Sequence, residues 1–116
     1  MSRKRSSAEA AKRGGPASVF AALGDETRLA LVAKLRGGQP RSISQLTRGS
    51  RFTRQAITKH LRVLERAELV HSVHAGRESL FELNPEPIEE IKKYLERVSE
   101  LWDRKVARLK SFVEGN

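Results

Sequence analysis

Residues 52–70 read FTRQAITKHLRVLERAELV, and this stretch decides the fold. At the helical period, Ile57, Leu61 and Leu64 fall at i, i+4 and i+7 and make one apolar stripe. Gln55, Thr58 or Lys59, Arg62 and Arg66 lie on the opposite side, with Arg54 in the first turn. The segment also carries its own start signal. Thr53 suits an N-cap, which sets Phe52 at N′ and Ile57 at N4, the pair that closes a hydrophobic staple and fixes the angle of entry. The helix so predicted is anchored on one side and presents cations and hydrogen-bonding groups on the other.

Working outward, the residues just before it predict a shorter helix. Ser42 with Gln45 three residues on has the form of a capping box, and ISQLTRG follows until Gly49 stops it. Two short helices joined by the turn around Gly49 to Phe52 make a helix-turn-helix. Further upstream, SVFAALG from Ser18 predicts an apolar helix ended by Gly24. Asp25 can then cap ETRLALVAKLRGG, with Leu29, Leu31, Val32 and Leu35 as its buried residues and Gly37-Gly38 as its stop. Downstream, LVHSVHAGRESLFELN predicts a hairpin turning at Ala75-Gly76-Arg77, with Phe81 and Leu83 on one face of its second strand and a ragged pattern on the first. Pro85 and Pro87 then open a long helix ending near Val113. Along it Ile91, Leu95, Val98, Trp102, Leu109 and Phe112 recur in alternating steps of four and three, with Lys105 the one polar interruption, and Tyr94, Leu101 and Val106 widen the stripe.

The predicted fold class is therefore mainly α with a β-hairpin, a winged helix-turn-helix over residues 17–114. Residues 1–16, rich in Ser, Ala, Gly and basic side chains without periodicity, are expected to be a disordered arm, either solubilising or grazing DNA.

Charge narrows the partner. The chain of 116 residues has 23 Lys plus Arg against 14 Asp plus Glu, a net charge of +9, which favours a polyanion. The excess is local. Residues 39–66 carry seven basic groups and one acidic, whereas residues 85–116 carry seven of each. A major groove about 12 Å wide admits a helix whose N-terminal side chains reach base edges. The expected base-reading residues are Arg54, Gln55, Thr58 and Lys59. Arg48, Arg51, Thr53, Arg62 and the wing-tip Arg77 are placed for phosphates.

Other chemistries lack their residues. There is no cysteine, hence no disulfide, thiolate nucleophile or Cys-based zinc site. No Gly-rich phosphate loop, nucleophile-elbow or Ser-x-x-Lys pattern occurs, and Glu89 and Glu90 at a helix start complement its dipole rather than make a catalytic pair. No enzyme, no cofactor and no metal are expected. His71 and His74, three apart on a strand, point to opposite faces and do not share an ion. No run approaches a membrane span, and no apolar region follows the basic N-terminus, so a cytoplasmic protein is expected. The rival to a DNA-binding role is a winged-helix module for protein or RNA, in which the same arginines meet acidic partners.

FAALGDETRLALVAKL, TRQAITKHLRVLERAELV and AGRESLFEL together resemble the arsenical-resistance-repressor (ArsR) family of bacterial winged-helix transcription regulators, over roughly residues 17–114. The resemblance implies a dimeric repressor on an inverted-repeat operator, paired through its first and last helices. It assigns Val19, Phe20 and Leu23, together with Ile91, Leu95, Val98, Trp102, Leu109 and Phe112, to that interface. A small-molecule effector near it is conceivable in members of this kind. Two departures stand out. The segment SISQLTRG has no Cys and residues 85–116 have no His, where the family's metal sites would be, so this chain is similar to a branch without metal ligands. Glu68 stands where relatives usually carry Gly, which implies either a strained left-handed cap or a different helix end. His60 matches a family position and is expected to be packed and hydrogen-bonded rather than on a base.

Overall fold

A computed structural model describes residues 14–115. In chain order the elements are α1 (Gly15–Leu23), α2 (Glu26–Leu35), β1 (Arg41–Ser42), α3 (Ile43–Thr47), α4 (Arg54–Arg66), β2 (Val70–Ala75), β3 (Glu78–Leu83) and α5 (Pro85–Val113). The arm expected over residues 1–16 lies almost wholly outside the described residues. Gly15 and Pro16 already belong to α1, which starts three residues before Ser18 because Pro16 is tolerated in a first turn whose N–H groups lack partners.

The caps form where local chemistry asks for them. Asp25 accepts the backbone N–H of Arg28 at 3.0 Å and starts α2. Ser42 and Gln45 make both halves of the capping box at α3, at 3.2 and 2.8 Å. Thr53 accepts from the Ala56 N–H at 3.0 Å and starts α4, and Asn84 caps α5. At the far end of α4 the Leu69 N–H bonds to the Leu64 carbonyl and the Glu68 N–H to the Glu65 carbonyl, both at 2.9 Å. This is a Schellman motif, and Glu68 takes its left-handed position at φ 61°. Of the two readings open at Glu68, the left-handed cap is the one adopted. Asn84 braces it by donating Nδ2–H to the Glu68 carbonyl at 2.9 Å.

The wing is a three-stranded antiparallel sheet in the order β1-β3-β2, not the two-stranded hairpin expected. Arg41 pairs with Phe81 and Ser42 with Leu80, so the segment expected only to turn and cap α3 also adds an edge strand. Ala75 pairs with Glu78, leaving Gly76-Arg77 as a two-residue loop in which Gly76 supplies the positive φ of 63°.

The core is built from Val19, Ala22, Leu31, Leu35, Leu46, Ile57, Leu61, Leu64, Leu69, Val70, Phe81 and Ile91. Leu29 was expected in it and is instead 51 % exposed. Leu31 and Leu35, one turn apart, set the inward face of α2, and Leu29 lies about 200° from Leu31 at 100° per residue. α1 packs against the beginning of α5, where the Phe20 and Tyr94 rings meet edge-on at 6.0 Å. Beyond Ile91, α5 leaves the core, and every residue from Lys92 to Gly115 is exposed.

Candidate nucleic-acid interface

The candidate interface draws on α3, the turn after it, α4 and the wing. Leu46 is fully buried and holds α3 against the core, and Lys34 of α2 donates its ammonium to the Leu46 carbonyl at 3.0 Å. The turn needs Gly49, which stands at φ 77°. Ser50 then accepts the Phe52 N–H at 3.0 Å, and the Arg51 guanidinium lies 5.4 Å from the centre of the Phe52 ring. α4 is held by Ile57, Leu61 and Leu64, each at most 1 % exposed. Burying a side chain of this size stabilises by about 1.5–3 kcal/mol relative to leaving it in water.

That anchoring decides which side chains remain outside. Arg54, Gln55, Lys59, Arg62 and Arg66 are exposed on α4, as are Arg48 and Arg51 before it and Arg77 at the wing tip. The one acidic residue of α4, Glu65, has a carboxylate oxygen occupied by the Ser72 hydroxyl at 2.9 Å, which ties the helix to β2. Two of the expected contact residues also serve α4 itself. Thr53 Oγ1 accepts the capping hydrogen bond, and the half-buried Thr58 donates its hydroxyl to the Arg54 carbonyl at 2.7 Å, leaving its methyl group and remaining lone pairs for a partner. Arg54 itself reaches across the motif. Its Nη1 donates to Ser44 Oγ on α3 at 2.7 Å.

His60, half-buried on α4, sits behind this face. The Arg28 guanidinium lies 3.2 Å from its Nδ1, and the Phe52 ring meets it edge-on at 6.4 Å. Arginine has only donors, so Nδ1 accepts and the ring is the neutral Nε2–H tautomer in this arrangement. The same guanidinium donates Nε–H to the Ala22 carbonyl at the end of α1. Asp25, 3.9 Å from His60 Nδ1, has its carboxyl held below the usual value, chiefly by the Arg28 backbone N–H it accepts. Partial burial pushes the other way, and the positive charge of Arg28 adds to the lowering. One small network thus joins α1, α2 and α4.

Arg28 and Ser44 carry contacts that the sequence pattern did not assign. The signal available for Ser44 was position: an unpaired-looking hydroxyl two residues into α3 on its polar side. Of the residues assigned to chain pairing, Val19 and Ile91 are buried in the chain's own core and Leu23 is half-buried against it. Phe20, Leu95, Val98, Trp102, Leu109 and Phe112 are exposed.

Comparison with known proteins agrees with this geometry. A family model described as a helix-turn-helix domain matches residues 23–73, from the end of α1 into β2. The HTH-type transcriptional regulator Rv2034 of Mycobacterium tuberculosis is 34 % identical over 89 residues, which cover 77 % of this chain and 79 % of that protein. The structure of an ArsR-like transcriptional regulator from Rhodococcus sp. RHA1 is 40 % identical and superposes with a TM-score of 0.73 over 84 % of this chain and 91 % of that one. The chain belongs to the ArsR family of helix-turn-helix transcriptional regulators. The uncharacterised HTH-type regulator YuzN of Bacillus subtilis is 36 % identical over 86 residues, 69 % of this chain and 94 % of that protein. Members of the ArsR family are DNA-binding transcriptional regulators, not enzymes. Among the described residues no helix is long and apolar enough to cross a membrane.

Proposed function

We propose that this ArsR-family regulator works as a homodimer, paired chiefly through α5 with α1 beside it, and represses transcription from an inverted-repeat operator. The observation that carries the reading is the bare apolar stripe of α5. Leu95, Val98, Leu101, Trp102, Leu109 and Phe112 are between 43 % and 79 % exposed on one helix, far more apolar surface than a lone soluble chain usually presents. A second copy of the same stripe would cover it isologously. Each dimer would then offer two α4 helices about 34 Å apart, one turn of the duplex, and obstruct a promoter by occupying it.

In this reading Arg54, Gln55, Thr58 and Lys59 meet base edges, while Arg48, Arg51, Thr53, Arg62 and Arg77 meet phosphates. This reading involves no metal at the sites the family usually uses. The chain has no cysteine, and among the described residues no three His, Asp or Glu side chains come together as ligands. Any effector would be a small molecule of another kind.

The test is a salt titration of duplex binding combined with sedimentation. A dimer engaging six or more phosphates loses about a thousandfold in affinity between 50 and 200 mM salt. Weak salt dependence with no preferred duplex, alongside tight binding of single-stranded RNA or an acidic protein, would return the fold to the role of an interaction module.

A further inference from the structure

We propose that Ser44 determines sequence specificity by positioning Arg54. The inference rests on the reading of Arg54 as a base-contacting residue and adds to it a residue on a different helix. Ser44 is exposed, two positions into α3, and its Oγ accepts from Arg54 Nη1 at 2.7 Å. A serine or threonine hydroxyl inside a helix often turns back on the carbonyl four residues earlier. Thr47 does this to Ile43 and Thr58 to Arg54. For Ser44 the carbonyl four residues back belongs to Pro40, outside α3, and Ser42 already serves as the cap. The Ser44 oxygen is therefore available to Arg54.

The choice of nitrogen matters. Guanine presents O6 and N7 side by side in the major groove, and arginine satisfies both with two parallel N–H groups. In the guanidinium plane Nε and Nη2 form one edge, and Nη1 lies away from it. Ser44 holds Nη1, and among the described residues Nε and Nη2 of Arg54 have no partner. The hydrogen bond thus anchors Nη1 while leaving the two-donor edge open. An untethered arginine at the same place would have to lose its rotamer freedom on binding, and could as readily settle on a phosphate, which carries no sequence information. Thr58 completes the arrangement by fixing the backbone carbonyl of Arg54 from one turn on.

The experiment uses the full chain, a duplex carrying its selected site, and every single-base-pair variant of that site. Arg54→Ala identifies the base pair that Arg54 reads. Ser44→Ala is expected to reduce discrimination at that same pair by roughly two- to tenfold, the range for one lost hydrogen bond. Preferences at other positions, the salt slope and the thermal midpoint should stay as in the parent. Ser44→Thr, which keeps the hydroxyl, should restore the discrimination, and Ser44→Ala should add nothing in an Arg54→Ala background. Full discrimination in Ser44→Ala, where Arg54→Ala has lost it, would overturn the proposal and leave the base-reading role of Arg54 standing. Uniform weakening at every pair with an unchanged salt slope would make the neutral Ser44 hydroxyl a phosphate contact instead. An Arg54→Ala protein with unchanged preferences would remove the base-reading role and this inference together.

Discussion

α4 and α5 are both amphipathic helices, yet they end in opposite situations. α4 buries Ile57, Leu61 and Leu64 inside its own chain, whereas α5 contributes Pro87 and Ile91 to the core and then runs on with its apolar stripe in water. At about 1.5 Å per residue α5 is roughly 43 Å long, more than the short α1 can cover. The contrast teaches that the fold of one chain is complete without most of α5, and that the stripe serves something beyond folding. α4, by contrast, has its apolar stripe of Ile57, Leu61 and Leu64 matched within the chain, and its polar side is left for a partner.

Substitutions on the two helices should therefore fail differently. Leu64→Ala on α4 should lower unfolding free energy by about 2–5 kcal/mol, because it opens a cavity in a closed core; urea titration measures it, and a loss below 1 kcal/mol would mean that the core at α4 is looser than the burial of Leu64 implies. The double substitution Leu95→Ala/Trp102→Ala on α5 should leave the circular dichroism of a folded protein but convert a dimer to single chains in sedimentation velocity. A doubly substituted protein that remains dimeric would move the interface off this stripe.

On the polar side, Arg54→Ala and Gln55→Ala should each relax preference at a single base pair by about 1–3 kcal/mol while the fold is unchanged. Binding to a panel of site variants reads this out, and unchanged preference would reassign the residue to phosphates. A smaller effect belongs to the end of α4. Glu68 occupies φ 61°, where a side chain costs roughly 1 kcal/mol that glycine avoids. Glu68→Gly should raise the thermal midpoint slightly; a fall would show that the contacts of the Glu68 side chain outweigh the strain.

The least of these effects is set by acid. The carboxyl of Asp25 is lowered in the folded chain, so its contribution to stability is full above the unfolded carboxylate value of about 3.9 and disappears as pH falls through the lower folded value. Asp25→Asn, which keeps a capping side chain, should flatten the thermal midpoint's dependence on pH below about 4. An equal slope in both proteins would show that other carboxylates govern it.

What could be read in advance divides along the line of range. The caps at Asp25, Ser42, Thr53 and the long helix from Pro85 depend on residues three or four apart, and each formed as the pattern required. β1 was illegible because two residues carry no alternation, and only the distant partners Leu80 and Phe81 make them a strand. Leu29 was misplaced because an apolar residue on an apolar helix announces no face until Leu31 and Leu35 have chosen theirs. Ser44 and Arg54 lie ten residues apart across a turn, so their hydrogen bond waited on the geometry of that turn. For α5 the period was visible and the covering surface was not, since a stripe looks the same whether its complement lies in the same chain or in another. Val19 and Ile91 show that ambiguity, since both are buried in the core of the single chain.

The most direct test of pairing through α5 to set two reading helices is a footprint on duplexes selected from the organism's own genome, run with the parent chain and with Leu95→Ala/Trp102→Ala. The parent should protect two half-sites of an inverted repeat centred about 10 base pairs apart, and the substituted chain should lose both together at the same concentration. Protection of one unpaired half-site by the parent, or an identical two-part footprint from the substituted chain, would contradict it.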